Sequence, residues 1–374
     1  MSRRGRIIGS LAGALGVAAA GTAAVGIRRQ QRAISRRAGE EIPFGTLRSA
    51  PVTVVADDGL PLHVEIDEVE SATPGRSAGR SAGRSAGGSV RRAKGHPPAV
   101  TVVFVHGFCL NLDCWHFQRA AYRGLVRAVY YDQRSHGRSG NSDRAHSTIE
   151  QLGRDLHRVI EAVAPDGPVV LVGHSMGGMS IVAFAEQYPE LIGPRVVGIG
   201  LISTTAGGLD PTRILLPMVP ARLAGPVARG VVRTLHLGHR AVDSVRRAGG
   251  SVATVATDRF AFGGDVPRGY VEFVDQMLAA TPFEVLADFF PHFAGLDKFD
   301  FVEVLGRVPT SVICGTADRL TSIGHSRKLQ SRIPGSRLLE CEGAGHMVLM
   351  ERHELVNAEL DQLITAASAR AAAR

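Results

Sequence analysis

Aromatic side chains are scarce in this 374-residue chain, 5% of the total with a single Trp, and cysteine is scarcer still at four residues, Cys109, Cys114, Cys314 and Cys341. Four scattered thiols in so long a chain exclude a disulfide scaffold, and without a C-x-x-C pair they offer no zinc ligand set. Buried thiols are the expected state, and Cys109 stands apart only because it falls beside the motifs described below. A body dominated by one sign of charge is also missing. The formal net charge is +8, yet residues 1–98 hold 15 basic and 8 acidic residues, which leaves 28 and 27 for everything after them. The excess belongs to the N-terminal region, and no helix-turn-helix or RNP pattern accompanies it, so a nucleic-acid partner is not expected. With 44% apolar residues the chain can build a sizeable core, and its length suits one large domain with insertions.

Long apolar runs are lacking but for one. Ile7 to Ile27 carries no charge and is followed by Arg28, Arg29, Arg32, Arg36 and Arg37, a stretch long enough for one membrane crossing. Residues 1–40 therefore read as an apolar anchor or signal segment with a basic flank, and membrane association through residues 7–27 is expected. Gly9 and Gly13 have the spacing that lets membrane helices pack. Competing with the anchor are a cleaved signal, for which Ala18 and Ala20 form an Ala-x-Ala site inside the run, and an Ala-rich soluble tail. Basic residues flank both ends, so the side of the membrane is not set.

After this segment, Val52 to Val55 and Leu62 to Ile66 flank Asp57-Asp58-Gly59 as a hairpin. Residues 71–98 contain Arg-Ser-Ala-Gly three times over and are too poor in large apolar groups to pack, which predicts a flexible loop. From Ala99 onward apolar runs alternate with longer helical patterns, the signature of parallel strands joined by crossover helices. Strands are predicted at Val100 to Val105, Val126 to Tyr131, Val169 to Val172, Val196 to Ile202, Pro309 to Cys314 and Arg337 to Cys341. Ser147 and Glu150 read as a capping box ahead of an apolar stripe from Ile149 to Val163. About a hundred residues then interrupt the alternation. Their pieces, Ile214 to Leu237, Ala241 to Phe262 and Tyr270 to Phe290, read as helices of a cap. The expected division is 41–204 and 306–374 for two parts of one core, with the cap at 205–305.

Chemistry concentrates at the ends of the predicted strands. Val169 to Val172 runs into Gly173-His174-Ser175-Met176-Gly177, a G-x-S-x-G pattern at a strand-to-helix junction. That context lifts a serine hydroxyl above the sheet edge, with a helix N-terminus beneath it to favour developing negative charge. A serine hydroxyl is a weak nucleophile unless an imidazole takes its proton, and the imidazole needs a partner to fix its tautomer. Asp318 follows the strand Pro309 to Cys314, and His346 follows Arg337 to Cys341. The carboxyl ends of strands line the ligand crevice of an open α/β sheet, so both converge on Ser175. Ser175 is the expected nucleophile, His346 the general base and Asp318 its orienting acid. The oxyanion of a tetrahedral intermediate would meet the backbone N–H groups of Met176 and Phe108, the latter in His106-Gly107-Phe108. His106 is expected to fix its loop instead of acting as a base. His325 and His353 are less well placed, Asp297 and Asp300 are rival acids, and His353-Glu354 lacks the second His of a zinc-protease helix because Asn357 stands there.

Together with Asp132-Gln133-Arg134-Ser135-His136-Gly137-Arg138-Ser139, which is similar to a D-x-R-G-x-G-x-S loop, these motifs resemble the α/β-hydrolase fold family from about Val52 to the C-terminal helix. The resemblance implies a mostly parallel eight-stranded sheet flanked by helices, an inserted helical cap after the sixth strand, and no cofactor. Ser175 argues against the epoxide hydrolases and haloalkane dehalogenases, which carry Asp there. What remains is cleavage of a carboxylic ester of a small or lipid-like substrate, with thioesterase, C–C bond hydrolase and cofactor-free haloperoxidase as alternatives. A non-catalytic, membrane-tethered binding protein on the same scaffold is the reading from a different class.

Overall fold

The computed structural model describes residues 29–37, 43–70, 100–209 and 250–374. The predicted membrane-length run at 7–27, the repeat at 71–98 and the predicted helix Ile214 to Leu237 lie outside the described residues. Among those described, no helix is long and apolar enough to cross a membrane.

The described residues begin with helical residues 29–36 and continue to the expected hairpin, β1 (Pro51–Val55) and β2 (Pro61–Asp67). Its turn is closed by the Ala56 N–H on the Leu60 carbonyl at 2.9 Å, with Gly59 in the left-handed region at φ 86°. Next come β3 (Thr101–Val105), α1 (His116–Tyr122), β4 (Arg127–Tyr131), α2 (Ile149–Val163), β5 (Val169–His174), α3 (Met176–Gln187) and β6 (Val196–Ile202). The eight strands form one sheet in the order β1-β2-β4-β3-β5-β6-β7-β8, antiparallel through β1, β2 and β4 and parallel from β4 onward.

Alternate residues of each strand feed opposite faces. Val102, Phe104, Tyr130, Val170 and Val172 pack with Trp115 of the 3₁₀ turn (Leu112–Trp115) before α1 and with the C-terminal helix. Val103, Val105, Val129, Tyr131 and Leu171 pack with α2 and α3. Both faces are covered, which is why the central strands read as unbroken apolar runs.

Helix α2 begins one residue later than the predicted cap. Thr148 is its N-cap and accepts the Gln151 N–H at 3.1 Å, while the Ser147 hydroxyl turns back to donate to the Asp143 carbonyl. Between β6 and β7 lie α4 (Gly250–Ala261), α5 (Arg268–Ala280), α6 (Phe283–Ala294) and a 3₁₀ stretch at Phe299–Arg307. The mostly helical piece expected from Tyr270 to Phe290, punctuated by Pro, holds two helices, because the ring of Pro282 forces Thr281 into an extended conformation at ψ 123°. A third apolar cluster, with Ile149, Met176, Met179, Phe289 and Phe293, joins α6 to α2 and α3. Lys298 is buried and reaches Glu150 and Glu186 at 3.0 and 2.5 Å, tying the base of the insertion to the same two helices. Arg37, just past the helical residues 29–36, pairs with Asp258 of α4 at 2.5 Å. The chain closes with β7 (Thr310–Gly315), α7 (Ile323–Arg332), β8 (Arg337–Cys341), α8 (Val348–Glu351) and α9 (His353–Ala372).

Candidate functional site

Ser175 occupies the turn between β5 and α3 with φ 52° and ψ −118°, a conformation that strains any side chain with a Cβ. The turn is possible because its flanks are bare: a Cβ on Gly173 would strike Gly177 and one on Gly177 would strike the Val105 carbonyl. The Ser175 carbonyl accepts the Thr204 hydroxyl at 2.6 Å, and its N–H donates to Ile202 at 2.9 Å, so the strained residue is held from β6. The Met176 amide is the first of α3 and has no acceptor within the helix. The loop after β3 passes so close that a Cβ on Gly107 would meet His174 Nδ1 at 2.8 Å and Ser175 Cβ at 3.1 Å, which sets Phe108 beside the same turn.

Asp318 and His346 come from the turns after β7 and β8. The two meet: His346 Nδ1–H donates to Asp318 Oδ2 at 3.0 Å. The other carboxylate oxygen accepts the N–H groups of Leu320 and Thr321 at 2.8 and 3.0 Å. Burial works against the ionised Asp318 side chain, but the neighbouring His346 and these donors outweigh it and hold the carboxyl below its usual range. The Thr321 hydroxyl stands 2.9 Å from Asp318 Oδ2, 3.3 Å from His346 Nδ1 and 2.7 Å from the Ser203 carbonyl, on which it can place its proton. No sequence pattern marked Thr321; only its third place after Asp318, within reach of an Asx-type turn, could have suggested it.

Two histidines in the motifs serve the frame. His106 Nε2 accepts the Gln133 N–H at 2.9 Å and its Nδ1–H donates to the Gly107 carbonyl at 2.7 Å, so both nitrogens are engaged, and burial pushes the imidazole down to about 3. His174 Nε2–H donates to the His346 carbonyl at 3.0 Å, linking the serine turn to the histidine turn, and burial with His346 nearby takes it to about 3. The Asp132 loop secures the approach of Phe108. Asp132 accepts the N–H groups of Leu112 and Arg138 at 2.7 and 2.8 Å, and the close fit of Gly137 over its carboxylate leaves no room for a Cβ.

Ser175, His346, Phe108 and Met176 all line one cavity of about 540 Å³. Asp318 sits behind His346, off the cavity wall. The far walls are mainly apolar and come largely from the helices between β6 and β7, through Phe260, Leu278, Leu286, Phe290 and Phe293, with Leu209 just after β6 and Met179 of α3; Thr257, Asp275 and Thr281 are polar exceptions. Cys109, at φ 56°, also lines it. His325 and His353 lie elsewhere. The former is 3.2 Å from the Gly208 carbonyl, and the latter stacks on Phe117 with ring centroids 4.1 Å apart.

A model of the alpha/beta hydrolase family matches residues 102–359. An uncharacterised protein of Mycobacterium tuberculosis is 26% identical over 271 residues, 68% of this chain and 72% of that protein. A monoacylglycerol lipase of Mycolicibacterium smegmatis is 26% identical over 243 residues, 63% of this chain and 76% of the lipase. Among solved structures, a thermophilic esterase from Thermogutta terrifontis superimposes with a TM-score of 0.60 at 22% identity, covering 86% of this chain and 100% of the esterase, a likeness of fold.

Proposed function

The chain belongs to the alpha/beta hydrolase family, and we propose that it cleaves a carboxylic ester of a small or lipid-like substrate through an acyl-enzyme on Ser175. The observation that carries this reading is the shared cavity: a strained, outward-turned serine and a histidine already paired to an ionised aspartate open onto one apolar chamber. In the proposed reaction Ser175 Oγ attacks the ester carbonyl as His346 Nε2 takes its proton. Asp318 stays ionised and steadies the imidazolium, and the Met176 and Phe108 amides receive the oxyanion. The protonated His346 then hands its proton to the departing alkoxide. Water, deprotonated by the same imidazole, attacks the acyl-enzyme, and the proton passes from His346 to Ser175 Oγ as the acid departs.

The chamber falls within the ~300–1,000 Å³ usual for small-molecule sites and is walled mainly by aliphatic and phenyl groups. Such walls favour an acyl chain over a charged or sugar-like group, since polar groups buried there would lose hydrogen bonds to water. The lipase and esterase named above lean the same way. We assign the helices of 205–305 as a cap that supplies these walls, and 41–204 with 306–374 as the two parts of the core. An N-terminal anchor at 7–27 would suit a lipid-like substrate; recovery of the full chain wholly in the soluble fraction after cell lysis would remove that element.

A fluorophosphonate probe tests the site directly. Ser175 should be labelled, and Ser175→Ala and His346→Ala should each abolish both labelling and turnover of short p-nitrophenyl esters. Wild-type turnover by Ser175→Ala would end the proposal. Thioester, C–C and peracid chemistry can run on the same three groups, so a panel containing a p-nitrophenyl ester, an acyl thioester, a vinylogous 1,5-diketone and acetate with hydrogen peroxide sorts them by kcat/KM.

A further inference from the structure

His346 rides on a turn that is gripped from two sides. On the sheet side His174 donates to the His346 carbonyl, as described. On the opposite side stands Glu351, at the end of α8. One of its carboxylate oxygens accepts the Gly345 N–H at 2.6 Å, immediately before His346, and the other accepts the Gly263 N–H at 3.0 Å. Gly263 belongs to neither the sheet nor its crossover helices; it follows the last turn of α4 in the insertion. The Met347 N–H donates to the Ala261 carbonyl at 2.8 Å, so the residues on both sides of His346 are bonded to or bridged with the same helix end.

The two segments touch backbone to backbone. A Cβ on Gly345 would run into the Gly263 amide and the Phe262 backbone, and one on Gly263 would run into Gly343 and Ala344. A carboxylate is well suited to such a junction because its two oxygens can each serve a donor from a different segment. Burial pushes the Glu351 carboxyl up, and the Gly263 and Gly345 amides, together with adjacent Arg352, pull back toward the ionised form.

Building on the reading of His346 as general base, we propose that Glu351 is a positioning residue: its carboxylate clamps the His346 turn to the end of α4, so the reach of the imidazole to Ser175 depends on where that helix sits. Helix α4 also presents Ala256, Thr257, Phe260 and Ala261 to the cavity. A substrate lodged against these residues therefore bears on the element that holds the base, and occupancy of the chamber and placement of His346 are mechanically linked. The expected penalty for losing the clamp is large, because displacing a reacting group by about 1 Å can cost ~100-fold in rate.

Glu351→Ala and Glu351→Gln in the full chain test this. Gln keeps the shape and one acceptor oxygen but faces the second amide with an NH₂, so it should fall between Ala and wild type. With p-nitrophenyl butyrate, kcat should drop roughly ten- to a hundredfold in Glu351→Ala with KM within about twofold. Fluorophosphonate labelling of Ser175 should slow in parallel. Hydrogen exchange should quicken in both the peptide spanning Gly343 to Glu351 and the one spanning Phe260 to Asp265. A folded Glu351→Gln or Glu351→Ala protein with wild-type kcat and labelling rate overturns the clamp, as does a rise in KM with kcat intact. Ser175→Ala, run alongside, separates the two levels: retained turnover there overturns the reading of the site, whereas its loss beside a wild-type Glu351 variant overturns the clamp alone.

Discussion

Acid should unfold this protein through histidines that carry no proton in the proposed reaction. His106, His136 and His174 are buried, and burial pushes their imidazoles down to about 3, about 4 and about 3 respectively. An unfolded histidine titrates near ~6.5. Between these values the unfolded chain binds protons that the folded chain refuses, so stability is full above ~6.5 and is lost as the pH falls below it. From about pH 7 to about pH 5 each site forfeits ~2 kcal/mol and the three together ~6 kcal/mol, comparable with the ~5–15 kcal/mol that holds a typical domain. His116 and His353, whose imidazoles burial also lowers, add to the loss. Asp132 and Asp155, whose carboxyls burial raises, oppose it at the acid end.

Denaturant unfolding followed across this range, with potentiometric proton uptake on unfolding at about pH 5, provides the assay; uptake of roughly three protons is expected from these sites. His136→Phe isolates one of them. The ring already sits among Phe108 and Phe289, with centroids 5.7 and 5.9 Å away, so a phenyl group meets apolar neighbours, at the cost of the 2.8 Å bond from His136 Nδ1 to the Arg134 carbonyl, a loss that does not depend on pH. The substitution should remove about 2 kcal/mol of the acid-dependent loss. Stability that is flat between these pH values, or a His136→Phe protein that keeps the whole slope, would refute the reasoning.

Three other outcomes are expected. Asp318→Asn should leave substrate binding nearly intact and lower kcat by ~10³–10⁴-fold, since an amide cannot hold the His346 tautomer as a carboxylate does; steady-state kinetics on a short ester decides it, and an equal change in KM alone would contradict the role. Arg134→Met should cost ~3–5 kcal/mol by leaving Asp155 buried and unpaired, because the guanidinium lies 2.6 Å from Asp155 and 2.8 Å from Asp58; chemical denaturation measures it, and a loss below about 1 kcal/mol would show the network to be dispensable. Phe293→Ala should widen the cavity wall beside Phe108, whose ring centroid is 5.0 Å away, and move the preferred acyl length upward across a p-nitrophenyl ester series. An unchanged preference would place the acyl chain elsewhere.

The sheet was legible in the sequence because central parallel strands covered on both faces are nearly continuous apolar runs, and each predicted run from Val100 to Cys341, down to the edge strand with exposed Arg337 and Glu340, coincides with a strand to within two residues. The serine turn was legible for a local reason: three glycines and a serine within six residues admit few backbone paths. Asp318 and His346 could be singled out because a parallel sheet delivers all its carboxyl ends to one edge. Helix ends were less readable. Thr148 and Ser147 are both competent caps, and the choice rests on which hydroxyl the preceding turn leaves free. The break at Pro282 is of the kind the sequence shows, since a proline interrupts a mostly helical stretch there, but the helix ends on either side of it were set only by the folded chain. What only the tertiary structure decided are contacts between distant segments. His174 reaches the carbonyl of a residue 172 positions away, and Glu351 reaches Gly263 across 88. Such contacts leave no periodic trace, since a single carboxylate or imidazole fits many surface positions equally well and acquires its role only when folding brings an unpaired backbone amide or carbonyl to it. The walls of the chamber follow the same rule: Phe260, Leu278 and Phe293 read as ordinary apolar helix faces, and they line a cavity in the folded chain, where Lys298, Arg37 and Glu351 bond the segments between β6 and β7 to residues far away in sequence.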